Sequence, residues 1–321
     1  MEKPKKGLQN KTYGTEINDF DKKVKREALK KERAYVDVPK KTQRISKQTS
    51  RISTTKREYQ FITTISDDRG EEVKYAGIPL SKLIEENKNI GDIIGLLWFK
   101  KKLPPYASKF IEFIIETLAD HGPCVSGAHN AIVAARAGKD LISSVASGLL
   151  TIGPRFGGAI DDAAYYFKWG KDTGLSPQEF VDEMKRKGIP IPGIGHRVKS
   201  IKNPDKRVIL LINYARKFFP KTEYLDYALE VERITTAKRE NLILNIDGCT
   251  GVLLIDLLKS LGFNDEEIKE RTEAGLLNAF FLLGRTIGIV GHVIDQKLLK
   301  SELYRTPYED VLYKLPKEEE L

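Results

Sequence analysis

From Leu80 onward, apolar residues recur every three or four positions along most of the chain, the period of helices with one buried face. The spacing predicts helices over 80–87, 90–101, 107–119, 126–138, 141–150, 159–169 and 177–187. A second series follows over 205–218, 222–236, 246–261, 264–274 and 276–300. Glycine and proline punctuate the pattern at Gly91, Pro104-Pro105, Gly122-Pro123 and Gly153-Pro154. Only one region reads as β-structure. The β-branched and aromatic run 59–66, the turn Asp67-Asp68-Arg69-Gly70 and the run 71–75 predict a hairpin. The expected fold class is mainly α, with a large and a small helical domain behind a short N-terminal β-hairpin.

The longest apolar run, 276–294, is interrupted by Asn278, Arg285 and His292, too often for a membrane span. It reads as a helix at the centre of a core or in a subunit interface. Gly275, Gly284, Gly288 and Gly291 predict close approach of other backbones to it. Arg285, in mid-run, requires either an internal acid or an anionic ligand as partner.

Charge changes the picture at one end only. Residues 1–58 hold 18 Lys and Arg against 8 Asp and Glu, a net of +10. The whole chain of 321 residues carries +9, so the remaining 263 sum to −1. The first segment reads as a basic, disordered tail with a solvated helix over 19–35, acting as a solubilising or assembly arm. A nearly neutral body argues against nucleic acid as the partner. Cys124 and Cys249 form no disulfide framework and fit a reducing cytosol. With no secretory pattern at the N-terminus, the expected location is cytoplasmic.

Candidate chemistry concentrates in 192–207, where Gly193 and Gly195 precede His196 and five cations surround it. Histidine exchanges protons near neutral pH, and arginine clamps carboxylates. The stretch reads equally as a basic surface loop or as an anion site. Asp247, between an apolar run and an apolar helix, reads as a helix N-cap or as a partly desolvated general base; spacing favours the cap. His121 stands beside Asp120, before a Gly-Pro break, and either role stays open for it. His129 and His292 read as structural. His121, Cys124 and His129 lack a fourth ligand at metal spacing, so no metal is expected. No phosphate-binding loop occurs, and the 193–198 glycines fall one short of a dinucleotide fingerprint.

Taken together, Gly193-Ile-Gly-His, Asn203-Pro-Asp-Lys-Arg, Asn245-Ile-Asp-Gly and Leu283-Gly-Arg resemble the citrate synthase superfamily. The segments 120–130, 137–140, 147–153, 194–200, 225–232 and 241–245 are most similar to the citryl-CoA lyase module of ATP-citrate lyase. The likeness runs from about residue 60 to 316 and leaves out the tail. It implies a large domain of 59–170 plus 275–321, a small domain of 171–274, and closure of the two over substrate. It also implies a homodimer or homotetramer, and a reaction that joins or splits acetyl-CoA and oxaloacetate through citryl-CoA. Coenzyme A enters as acyl carrier of the substrate, with no cofactor bound permanently. The resemblance assigns His196 to the oxygen on the carbon being formed or cleaved, and Asp247 to the proton on the acetyl carbon. His121, Arg207 and Arg285 hold the citrate carboxylates in that assignment. Arg305 matches an arginine supplied by a neighbouring subunit, and Arg197, Lys238 and Arg239 match a basic region that meets the CoA phosphates.

One departure separates two members of the family. Where ordinary citrate synthases have a histidine for the thioester enolate, this chain has Phe156, in Gly153-Pro-Arg-Phe-Gly-Gly. That favours citryl-CoA cleavage over citrate synthesis, which uses the same residues and then hydrolyses the thioester. No recognisable ATP-binding motif occurs, so the expectation is a stand-alone citryl-CoA lyase or one subunit of a split ATP-citrate lyase beside an ATP-dependent citrate–CoA ligase subunit. An inactive assembly subunit that binds a ligase partner is the alternative from another class.

Overall fold

The computed structural model describes residues 62–153, 156–317 and 319. The predicted tail 1–58 and its helix over 19–35 lie outside the described residues. The β-structure is a small meander rather than a hairpin: β1 (Ser66–Asp67) pairs antiparallel with β2 (Lys74–Tyr75), which pairs antiparallel with β3 (Ile78–Pro79). The third strand follows from the turn Ala76-Gly77, where both residues have positive φ, 47° and 85°. Two left-handed residues between strands make the tight turn that suits their twist. Alanine is a poor sequence signal for it.

Twelve helices follow among the described residues: α1 (Leu80–Glu85), α2 (Ile90–Ile94), α3 (Pro105–Leu118), α4 (Ser126–Arg136), α5 (Leu141–Leu149) and α6 (Ala159–Asp172). Then come α7 (Pro177–Arg186), α8 (Lys206–Phe218), α9 (Glu223–Thr236), α10 (Ile246–Ser260), α11 (Asp265–Glu273) and α12 (Leu276–Leu298). α2 continues as a π-turn, Gly95–Phe99, that stops at Lys100 in the left-handed region. Gly91 proves to be a contact rather than a breaker, because a Cβ there would lie 2.1 Å from Ser108 O.

Residues 63–321 form one compact unit. Its main core runs through Phe110, Ile114, Phe167, Phe180, Leu225, Leu254 and Phe280, so it draws on both predicted domains. α10 is its axis: twelve of fifteen residues are buried. A second, small cluster joins α12 to α4 through Ile289, Val293, Ala131 and Ala135.

Two side-chain exchanges fix the frame around the site. Asp161 on α6 accepts the N–H groups of Leu277 and Asn278 at 3.1 and 3.3 Å, capping α12. Asn278 Oδ1 accepts those of Ile160 and Asp161 at 3.1 and 3.3 Å, capping α6 in return. Each helix start thereby satisfies the other's unpaired donors. Gly284 and Gly288 let α12 lie against the end of α3, where a Cβ on Gly288 would meet Ala119 O at 2.4 Å. Of the other two glycines expected to bring backbones close, Gly275 instead supplies a φ of 80°, and Gly291 has open space within 4 Å.

Candidate active site

α7 stops at Arg186, ahead of Gly188 (φ 67°), Pro190 and Pro192, and the chain then turns through Gly193 (φ 83°) and Gly195 (φ 104°), conformations that side chains disfavour. From there it runs alongside 241–245. Gly195 N–H donates to Ile243 O at 2.7 Å, His196 N–H to Asn241 O at 2.9 Å, and Asn245 N–H to Gly193 O at 2.9 Å. His196 is then held by the next turn: the N–H groups of Val198 and Lys199 donate to its Nδ1 at 3.0 and 2.8 Å. A ring nitrogen that accepts carries no hydrogen, so the neutral imidazole keeps its hydrogen on Nε2. Burial lowers the ring's pKa; Asp205 opposes this, while Arg207 and Lys199 add to it. His196 therefore offers a neutral N–H donor.

Asp247 stands in the first turn of α10 but does not cap it. The cap is Asn245, whose Oδ1 accepts from the N–H groups of Asp247 and Gly248, both at 3.0 Å. This corrects the N-cap reading and leaves the Asp247 carboxylate free. Its Oδ1 is buried and has no hydrogen-bond partner. Burial pushes its pKa above the ordinary carboxylate range, and Arg207 and Arg285 pull the other way without cancelling the effect. Gly248 brings α10 against the His196 loop: a Cβ there would lie 2.5 Å from Gly193 O. Glycine on both sides of the contact is what permits it.

Arg207 enters from the start of α8. Asp205, 5% exposed, caps that helix and grips the guanidinium, with Nε to Oδ1 at 3.1 Å and Nη2 to Oδ2 at 2.7 Å. Burial raises the Asp205 carboxyl, but the bonds from Arg207 outweigh it and hold the group below its ordinary range. The remaining arm, Nη1, reaches His121 Nδ1 at 3.2 Å. Since guanidinium only donates, His121 also carries its hydrogen on Nε2. Burial, then Arg207 and Arg285, hold its pKa low.

Arg285 is 3% exposed on α12, its guanidinium 4.8 Å from the Phe281 ring. Nε and Nη1 are buried without partners. Burial lowers its pKa, while Asp120 and Asp247 act to keep it charged. Asp120 also meets His292 Nε2 at 3.1 Å, beside His121. Phe156 packs edge-on against Phe281, the ring that borders this cation, with centroids 5.8 Å apart.

His196, Asp247, Arg207, His121 and Arg285 thus form one electrostatic neighbourhood. Arg305 does not join it. It is exposed in the segment after α12, next to Tyr304, which rests on the His129 ring and under Arg136. Arg197, Lys238 and Arg239 are exposed on two segments tied together by Ile201 N–H to Glu240 O at 3.0 Å. Asn245 and Asp205 escaped the sequence reading. Their signal was the preference of Asn and Asp for the position before a helix. Among the described residues, no group of three or more His, Cys, Asp or Glu is placed to hold a metal.

Chemically, the neighbourhood offers N–H donors on four side chains and one desolvated carboxylate with a free oxygen. That set suits a substrate with several carboxylates, an oxygen that becomes negative, and a carbon-bound proton to be moved. Residues 97–307 match the family described as citrate synthase, C-terminal domain. The ATP-citrate synthase beta chain protein 1 of Oryza sativa subsp. japonica is 61% identical over 254 residues, 79% of this chain and 42% of that protein. Among solved structures, that of ATP citrate lyase from Methanothrix soehngenii in complex with citrate and coenzyme A superposes with a TM-score of 0.79 at 62% identity. The match covers 86% of this chain and 45% of that one. Citryl-CoA lyase from Hydrogenobacter thermophilus gives 0.69 at 28% identity over 82% of this chain and 98% of that one. The chain spans less than half the length of the curated relatives it matches. By the site's donor set, the helical frame and the family match over most of its length, the chain belongs to the citrate synthase family.

Proposed function

We propose that this chain cleaves citryl-CoA to acetyl-CoA and oxaloacetate. The observation that carries the reading is the desolvated Asp247 carboxylate, whose Oδ1 is buried without a partner in the same neighbourhood as Arg285, whose Nε and Nη1 are likewise unpartnered. Citryl-CoA must lose its hydroxyl proton and break the bond between the hydroxyl-bearing carbon and the thioester methylene. His196 Nε2–H donates to that oxygen and stabilises the negative charge it gains. With Nδ1 occupied by two backbone donors, His196 serves as a hydrogen-bond donor rather than as the base. Arg207, Arg285 and His121 hold the substrate carboxylates. Asp247, in its acid form, protonates the methylene carbon of the departing enolate and gives acetyl-CoA. The hydroxyl proton leaves through solvent, which restores Asp247. Run backwards, the same groups condense the two products.

Arg197, Lys238 and Arg239 form the rim that meets the phosphates of coenzyme A. Residues 171–274 close over the remainder when substrate is bound, which keeps water from the thioester. Arg305 serves the site of a second copy of the chain in a homodimer or homotetramer. Activation of citrate by ATP belongs to another module, which suits a chain that spans less than half of its ATP-citrate synthase relatives. Citrate synthase is the second reading; Phe156, which stands in sequence where ordinary citrate synthases have a histidine for the enolate, and which packs on Phe281, speaks against it.

The test is citryl-CoA cleavage by Asp247→Asn, expected to fall by about 10³-fold, within the usual range for a removed acid–base group. Because burial raises the Asp247 pKa, its acid form persists to higher pH than that of an ordinary carboxylate. Cleavage should fall, and condensation rise, as pH passes through that same raised value. Full turnover in the variant, or citrate release with negligible citryl-CoA cleavage in the parent, would remove the proposal.

A further inference from the structure

The two groups assigned to opposite ends of the breaking bond come from different elements, and one side chain joins them. Asn245 Oδ1 accepts the N–H groups of Asp247 and Gly248, both at 3.0 Å, while its Nδ2 donates to Gly195 O at 2.9 Å. Its backbone N–H adds a bond to Gly193 O at 2.9 Å. The residue immediately before His196 and the backbone of Asp247 are therefore held by the two ends of one planar amide. We infer that Asn245 is a positioning residue that sets the spacing between His196 Nε2 and the Asp247 carboxylate, and through it the rate of carbon–carbon cleavage.

A helix cap needs only the acceptor, which serine and aspartate supply equally well. The bond from Nδ2 to Gly195 O contributes nothing to capping. It crosses from α10 to the loop, and of the side chains that cap well, only the amide of asparagine carries its donor on a second atom, apart from the oxygen that caps. The neighbouring Gly193–Gly248 contact allows the two backbones to approach but, having no side chains, does not fix their register. A displacement on the order of 1 Å between reacting groups is enough to cost about 10²-fold in rate.

The inference rests on the reading of His196 and Asp247 as the reacting pair, so both are tested together. Asn245→Ser keeps a cap acceptor and loses the reach to Gly195 O. Asn245→Asp keeps the volume and both cap bonds but cannot donate. Each is expected to lower kcat for citryl-CoA about 10- to 100-fold. KM should stay within about threefold and the melting temperature close to the parent's, a split that a merely structural role would not produce. If Asn245→Ser fails to fold, Asn245→Asp decides by the same measures. Parental kcat in a folded Asn245 variant, with Asp247→Asn inactive, would overturn the positioning role alone. Turnover surviving in Asp247→Asn would overturn the site reading and this inference with it.

Discussion

α10 and α12 each bring one charged group to the site, Asp247 and Arg285, yet α10 buries twelve of its fifteen residues and α12 seven of its twenty-three. Both are apolar in sequence. α10 is enclosed by its own chain. α12 packs on α3, α4, α5 and α6, and leaves Leu282, Ile287, Ile294 and Leu298 exposed at 43%, 54%, 44% and 77%. Apolar surface arranged along one helix in this way calls for a cover. In the proposed homo-oligomer, α12 is therefore the helix a second copy would cover, while α10 is covered by its own chain.

The sharpest way to break the comparison is to disturb α10 where it has no slack. In Gly248→Ala the new methyl would lie 2.5 Å from Gly193 O and 2.8 Å from both Gly193 Cα and Leu244 Cδ1. Two of these are backbone atoms, so α10 or the His196 loop must move. Overpacking of this kind costs about 1–3 kcal/mol of stability, and the displaced pair should lose about 10²-fold in kcat. Calorimetry and the cleavage assay check the two effects, and an unperturbed Gly248→Ala would show that the contact sets neither.

A smaller effect tests whether the other side is shared. Arg305→Ala and Asp247→Asn should each be inactive as homo-oligomers. Mixed dimers of the two would contain one intact site if Arg305 serves the neighbour. After random reassortment, activity should return to about a quarter of the parent's. No recovery, with subunit exchange verified by mass, would place Arg305 in its own chain's site or in none.

Helix positions were legible because 3.6-residue periodicity depends on each helix's own burial. All twelve helices lie where the spacing put them, most with ends within two residues; α6 runs three residues further, and α2 ends at Ile94, short of the expected 101, continuing only as the π-turn to Phe99. Periodicity says less about depth. α12, with 23 residues and few charges, reads as central to a core or as part of a subunit interface, yet it buries fewer residues than α10, because burial depends on what packs around a helix, which its own sequence does not contain. Sequence also located His196 and Asp247 as candidates, with spacing favouring a cap for Asp247. The cap is instead taken by Asn245, two positions earlier. The grip of Asp205 on Arg207 was hidden for a similar reason. In Asn203-Pro-Asp it reads as a turn, and only the fold shows the carboxylate buried with both oxygens on the guanidinium. Conversely, the third strand was missed because Ala76 adopts a conformation for which alanine gives no signal.

The smallest effect falls on Gly291, and it bears directly on what covers α12. Gly288, one turn earlier, would drive a methyl to 2.4 Å from Ala119 O and 2.7 Å from Asp120 Oδ1, whereas a methyl on Gly291 would meet nothing within 4 Å among the described residues outside its own stretch of helix. Glycine inside a helix costs about 0.5–1 kcal/mol relative to alanine, through lost backbone entropy. Within a single chain, Gly291→Ala should therefore raise the melting temperature by roughly 1–3 °C. If glycine is there so that a second copy can approach closely, the methyl will separate the two helices. The assembly should then dissociate at a several-fold higher concentration, even as each chain becomes more stable. Sedimentation and calorimetry on the same variant read the two effects separately. A stability gain with dissociation unchanged would put Gly291 in solvent and take the second copy off this face of α12.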